Sequence, residues 1–320
     1  MEGVIADSPS LNRRRVPPAM PPEAYFVVSA IFHYLGPAFA VLLFARVAPL
    51  GVAWLRIASS AVVLAVWRRP WCVLWQGQER ALVVAFGAVL AVMNACFYLA
   101  INRVPLGTVA AIEFLPVVGL AALGARTPRN GVALVLAVAG VYTLTDVRLA
   151  AEPFGIAFAF ANAGLFAAYI VLAHRVSRSV SARGIDGLAA AMLVATVAIT
   201  PIGGGGAVPA LLDPVALAAG FGVGVASSVV PYALDQLAMA RLSRATYALM
   251  VSLFPATATI VGVVVLAQVP SWIEVVGVAL VVCAVGLHRE PAEGAAFAVI
   301  SARRGRTGRR RRRPAPRDAA

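Results

Sequence analysis

Apolar residues in this chain fall into ten runs separated by short polar stretches. They are Ala24–Phe44, Val47–Trp67, Ala81–Ile101, Val104–Gly124, Asn130–Asp146, Pro153–His174, Gly187–Pro201, Pro214–Leu237, Tyr247–Leu266 and Trp272–Leu287. A bilayer core about 30 Å thick is crossed by about 20 apolar residues rising about 1.5 Å each, and most of the runs approach that length. The seventh is the least regular, because Pro201 and Gly203–Gly206 obscure its end. The runs group into two halves of five, residues 24–146 and 153–287. With five spans per half, the second half enters the membrane upside down relative to the first. Inverted repeats of this kind recur in secondary transporters, whose substrate sites lie near the midplane between the halves. The pattern predicts an all-α membrane protein of ten transmembrane helices in two inverted five-helix repeats. The flanking residues 1–23 and 288–320 are expected to be disordered and cytoplasmic.

The halves can be overlaid locally. Leu99-Ala100-Ile101-Asn102-Arg103-Val104 reads against Leu237-Ala238-Met239-Ala240-Arg241-Leu242, and Pro116 nearly coincides with Pro255 a few residues on. A proline inside a membrane helix removes one backbone hydrogen bond and exposes a carbonyl. Pro37, directly after Gly36, and the matched pair Pro116 and Pro255 are therefore expected helix breaks near a binding region. Simple bending of helices for packing is the alternative.

Composition sharpens the class. The chain is 61% hydrophobic and 13% charged, with a mean hydropathy of +0.86, whereas soluble domains carry about 25% charged residues. Loops this short leave no room for a separate soluble domain. The stretch from Met1 to Pro22 is polar and then rich in Arg and Pro, so it lacks the apolar core of a cleavable signal peptide. Cys72, Cys96 and Cys283 stand singly, which implies neither a disulfide framework nor a metal site, and no cofactor is expected.

The net charge of +13 comes entirely from arginine on the basic side. Its distribution points to membrane topology and away from nucleic acid. With both termini cytoplasmic, 23 arginines lie inside and only Arg46, Arg103 and Arg148 lie outside, as the enrichment of cytoplasmic loops in basic residues requires. The tail with Arg309–Arg313 reads as a solvated anchor that can touch anionic lipid.

Ionisable residues within spans are costly and usually face the bundle interior, which makes them candidate functional groups. At about 1.5 Å per residue, Glu113 lies about 13 Å deep and Arg56 about 12 Å deep, both counted from the outer side. A pair between them is geometrically allowed. Desolvation and a nearby guanidinium act on such a carboxyl in opposite senses, a balance that substrate binding can shift to release a proton. A static ion pair holding two helices is the alternative. His33 lies about 13 Å from the cytoplasmic side by the same rise and either relays protons or packs. Asn94, Asn162 and Tyr232 complete the candidate pathway, each with helix packing as the competing role. Tyr98 and Tyr169 are weaker cavity candidates, and Asp235 reads as an interfacial partner of Arg241.

Five stretches carry a family resemblance: Asn94 to Tyr98 (NACFY), Arg103 to Gly107 (RVPLG), Ala111 to Pro116 (AIEFLP), Ser227 to Tyr232 (SSVVPY) and Ala245 to Pro255 (ATYALMVSLFP). Over residues 24–287 the chain resembles EamA-type carriers of the drug/metabolite transporter superfamily, and it is most similar to the bacterial threonine/homoserine exporter branch. The resemblance implies a multi-pass protein of the bacterial inner membrane. It would export a small polar metabolite, plausibly an amino acid, driven by the proton gradient. Phe254 stands where the family usually carries an acid before the proline of span nine. Ala267-Gln268 stands where it tends to carry Gly-Glu. A permease for drugs or other metabolites shares the same pattern, and a homodimer is left open. A membrane-embedded enzyme would need a clustered catalytic constellation, and the chain offers neither paired acids nor metal-ligand spacing.

Overall fold

The computed structural model describes residues 22–68, 70–71, 80–124, 127–149, 152–179, 184–231, 234 and 253–287. All regular elements among them are helical. In chain order they are α1 (Pro22–Leu43), α2 (Pro49–Arg68), α3 (Arg80–Ile101), α4 (Leu106–Gly124), α5 (Pro128–Leu149), α6 (Pro153–Ser179), α7 (Gly184–Ile199), α8 (Gly205–Leu212), α9 (Pro214–Gly224), α10 (Phe254–Leu266) and α11 (Trp272–Leu287). Two π-helical turns, Thr200–Gly204 and Val225–Val229, follow α7 and α9. Five helices are long and apolar enough to cross a membrane: Ala24–Leu43, Pro49–Arg68, Arg80–Ile101, Pro153–Ala173 and Asp186–Leu212. Five shorter apolar helices lie within the other runs.

Local chemistry sets the helix starts. Pro49, Pro128, Pro153 and Pro214 open α2, α5, α6 and α9, where a missing N–H costs nothing and φ is already helical. Asp213 caps α9 by accepting from the Val215 N–H at 2.9 Å. Thr127 Oγ1 accepts from Asn130 N at 3.2 Å at the start of α5. Ser271 and Glu274 form a reciprocal capping box on α11. The Ser271 N–H donates to Glu274 Oε2 at 2.8 Å, and the Glu274 N–H donates to Ser271 Oγ at 3.3 Å.

Two sequence expectations are corrected. The seventh run does not end at Pro201, because helix continues through the first π turn to Leu212. Proline removes one i→i−4 bond, and the wider turn absorbs the loss. The glycines that blurred the boundary serve packing: Gly206 meets Gly51 of α2 backbone to backbone, the close approach that small residues permit between membrane helices. Second, α1 and α4 run unbroken through Pro37 and Pro116, so no break forms there, and Pro255 sits at the start of α10.

The strongest packing joins α5 to α11, α3 to α6 and α7, α2 to α7 and α9, α4 to α6, α5 and α10, and α1 to α10 and α9. Gly140 and Gly277 let α5 and α11 approach closely. Val66, Phe154, Val197, Leu212, Val264 and Trp272 are among the large apolar side chains turned outward, the inverse of a water-soluble surface.

Candidate functional site

Residues from six helices, the second π turn and Pro231 line a cavity of about 160 Å³. Five of the predicted pathway residues meet in its wall: His33 on α1, Arg56 on α2, Asn94 on α3, Glu113 on α4 and Asn162 on α6. Pro37 lines it as well. Tyr232 lies outside the described residues, as does Asp235. Helical periodicity explains the convergence. Each polar residue is flanked by apolar neighbours, so its helix turns it inward while the opposite face meets lipid.

Glu113 and Arg56 do not pair. Arg56 Nη2 donates to the Ser227 carbonyl at 3.3 Å and Nε to Ser228 Oγ at 3.4 Å. Its guanidinium stands 5.7 Å from the centre of the Tyr98 ring. Glu113 has the Asn162 amide beside it, although Asn162 Nδ2 completes no hydrogen bond. It is the only acidic residue lining the cavity among the described residues. Asn94 donates from Nδ2 to its own helix, at Leu90 O, at 2.8 Å.

Several buried polar atoms lack any partner: His33 Nδ1, the Tyr34 and Tyr98 hydroxyls, Asn162 Nδ2 and Ser227 Oγ. Native proteins leave few such groups unsatisfied, and each lost partner costs about 1–3 kcal/mol. His33, Tyr34, Asn162 and Ser227 line the cavity; Tyr98 sits just behind Arg56. A wall of unspent donors and acceptors is what a polar solute needs to exchange its hydration shell for protein contacts.

Sequence reasoning missed Ser227, Ser228 and Tyr34. Two adjacent serines inside an apolar run were the available signal for the first two. Tyr34 gave none beyond its place next to His33. Phe254, which the family resemblance singled out, has a structural task. Its ring stacks on His33 and Phe26, at 5.3 and 5.4 Å between centroids, and meets Tyr34 and Phe114 edge-on. Phe254 thus packs behind His33 and Tyr34, which line the cavity. Gln268 also has a structural task. It follows Ala267, whose φ of 53° is left-handed, and its Oε1 accepts from the Leu106 N–H at 3.1 Å at the start of α4.

Residues 153–288 match the EamA-like transporter family. The threonine/homoserine exporter RhtA of Salmonella typhimurium strain LT2 is 30% identical over 264 residues, which cover 80% of this chain and 88% of the relative. RhtA of Escherichia coli K12 is 29% identical over 252 residues, covering 78% and 84%. Similarity on this scale extends into both halves of the chain. The chain therefore belongs to the EamA-like transporter family and is a carrier, not an enzyme.

Proposed function

We propose that this protein is a secondary transporter of the bacterial inner membrane that exports a small polar amino acid of the threonine/homoserine kind by proton-coupled alternating access. The observation that carries the reading is the cavity, which joins one acid, one arginine and several unpartnered polar groups inside an apolar bundle. At about 160 Å³ it is smaller than the roughly 300–1,000 Å³ typical of drug-sized ligand sites. That size favours a small metabolite over a drug. The names of the RhtA relatives point to the same solute class.

The architecture behind this reading is ten spans in two inverted repeats, residues 24–146 and 153–287, with both termini cytoplasmic. Helix neighbours support it. Exchanging the halves turns the α1–α10 pairing into α6–α4, α3–α6 into α9–α1, and α3–α7 into α9–α2. The α5–α11, α2–α7 and α4–α10 pairings map onto themselves. Such a set of contacts is expected of a two-fold axis in the membrane plane. The count of arginines, 23 against three, sets the orientation, and the arginine tail would lie on anionic lipid.

In this mechanism Glu113 carries the proton. Solute entering the cavity changes the charge around the carboxyl, the proton leaves on one side, and rocking of the halves exposes the site to the other. Export of labelled threonine and homoserine from cells or inside-out vesicles tests the reading. Movement that stops when the proton gradient is collapsed is the expected result. Equal movement with and without the gradient overturns the coupling, and movement of neither amino acid overturns the solute class.

A further inference from the structure

Among the described residues, Arg56 is the only arginine in the cavity wall, and none of their carboxylates forms an ion pair with it. Both of its hydrogen bonds are long and run to neutral acceptors, the Ser227 carbonyl at 3.3 Å and Ser228 Oγ at 3.4 Å. A guanidinium carries five N–H donors in a rigid fork, so most of its capacity remains unspent. A part-buried cation without an anion carries a desolvation cost, and the open space beside this one is the cavity itself.

The acceptor side of this arrangement comes from backbone irregularity. Val225–Val229 is a π-helical turn, which widens the i→i−4 ladder and turns carbonyls toward α2. Ser227 O accepts from Arg56, and Gly224 O accepts from Ser60 Oγ at 3.1 Å. The Ser227 hydroxyl is left over. The residue is only 2% exposed, lines the cavity and has no partner for Oγ. Gly36 of α1 faces that hydroxyl so closely that a Cβ there would collide with it. The Tyr98 hydroxyl lies toward both Arg56 and Ser227 without completing a hydrogen bond.

We propose that Arg56, with the Ser227 and Ser228 hydroxyls of the π turn, forms a carboxylate subsite that holds the carboxylate of the transported solute. This rests on the amino-acid export reading above and adds which end of the solute goes where. Arg56 presents its fork bidentately to the carboxylate, and Ser227 Oγ donates a further hydrogen bond. The ammonium then faces Glu113 and Asn162 on another wall. There α4 packs mainly on α5, α6, α10 and α11, while α2 packs on α3, α7 and α9. A single guanidinium balances the single charge of a carboxylate, so the site does not suit a phosphate dianion.

The test compares L-threonine with L-threoninamide, which keeps the ammonium and side chain but replaces the carboxylate with a neutral amide. N-acetyl-L-threonine and inorganic phosphate complete the panel. Each is titrated against the full-length protein in detergent by thermal shift, and as a competitor of labelled threonine export in vesicles. We expect threonine to act at a concentration at least about tenfold below threoninamide, and phosphate to have no effect. In Arg56→Gln the free acid and the amide become equivalent, and Ser227→Ala narrows the preference several-fold. Amide acting as well as acid on the unmodified protein overturns the subsite while leaving amino-acid export standing, and so does a preference that survives in Arg56→Gln. Failure of threonine and homoserine both to bind and to move overturns the export reading and the subsite together. The comparison on the unmodified protein needs no variant, so misfolding of Arg56→Gln does not weaken it.

Discussion

Glu113 and Arg56 occupy similar depths on different helices, yet each faces the cavity with its charge unpaired by the other. For Glu113 this yields a direct prediction. Glu113→Gln keeps the shape and removes the titration, so the protein should fold normally while threonine export falls to the rate seen without a gradient. Normal gradient-dependent efflux by that variant excludes Glu113 as the carrier. A second titratable residue matters for stability at the rim of the bundle. Asp213 caps α9 and pairs with Arg46 at 3.2 Å. The Val215 and Ala216 N–H groups, and then Arg46, hold its carboxyl below the usual aspartate value. A depressed carboxylate contributes stability above its unfolded pKa and loses it as pH falls through the folded one. Asp213→Ala should therefore melt lower than the parent protein at neutral pH. The two melting temperatures should converge only below the ordinary aspartate range, and a constant gap across that range would rule the charge out. That Glu113, Arg56 and His33 lie within apolar helices was readable in the sequence. Their choice of partners was not, because that depends on which helices face one another.

At the scale of the element, caps and small residues define where each helix starts and what it touches. The box formed by Ser271 and Glu274 follows from the S-x-x-E spacing of Ser271-Trp272-Ile273-Glu274 before an apolar run. Ser271→Ala should cost about 1 kcal/mol, measured as a lowered melting temperature of the purified protein, with export unchanged at moderate temperature. No loss of stability would mean that Glu274, only 2% exposed, is held by its other contacts. The π turns were not legible. Pro201 and the glycine run marked an irregularity, but whether it ends a helix or widens one turn depends on α2. With Gly51 against Gly206, continuing to Leu212 keeps backbone groups bonded inside the bundle. Ending at Pro201 would expose them to hydrocarbon, where each unsatisfied group costs several kcal/mol.

For the molecule as a whole, alternating access requires that contacts between the halves open and close. The Arg46–Asp213 pair links the α1–α2 connection to the α8–α9 junction. In Arg46→Cys/Asp213→Cys the two thiols can be joined by a bifunctional reagent as long as the Arg46–Asp213 pair it replaces, once Cys72, Cys96 and Cys283 have been replaced. Joining them should arrest export, and cleaving the bridge should restore it. Unchanged export by the bridged protein would mean that this rim does not open during transport. The same background supports accessibility labelling of single cysteines in residues 1–23 and 288–320, which should react from the cytoplasmic side only.

The sequence by itself determined the class of this protein and which of its charges fall within apolar helices, because a bilayer admits few lengths of apolar helix and makes every buried charge expensive. It also determined most helix starts, since Pro, Asp, Thr and Ser act on the backbone within a few residues of where they stand. Only the tertiary structure decided that His33, Arg56, Asn94, Glu113 and Asn162 share one cavity, that Arg56 meets Ser227 and Ser228 instead of Glu113, and that Phe254 stacks on His33. The helical period turns each of these residues inward, but the order of helices around the cavity comes from close packing at sites such as Gly51–Gly206 and Gly140–Gly277. That packing joins residues far apart in the chain through shape and not through any local pattern.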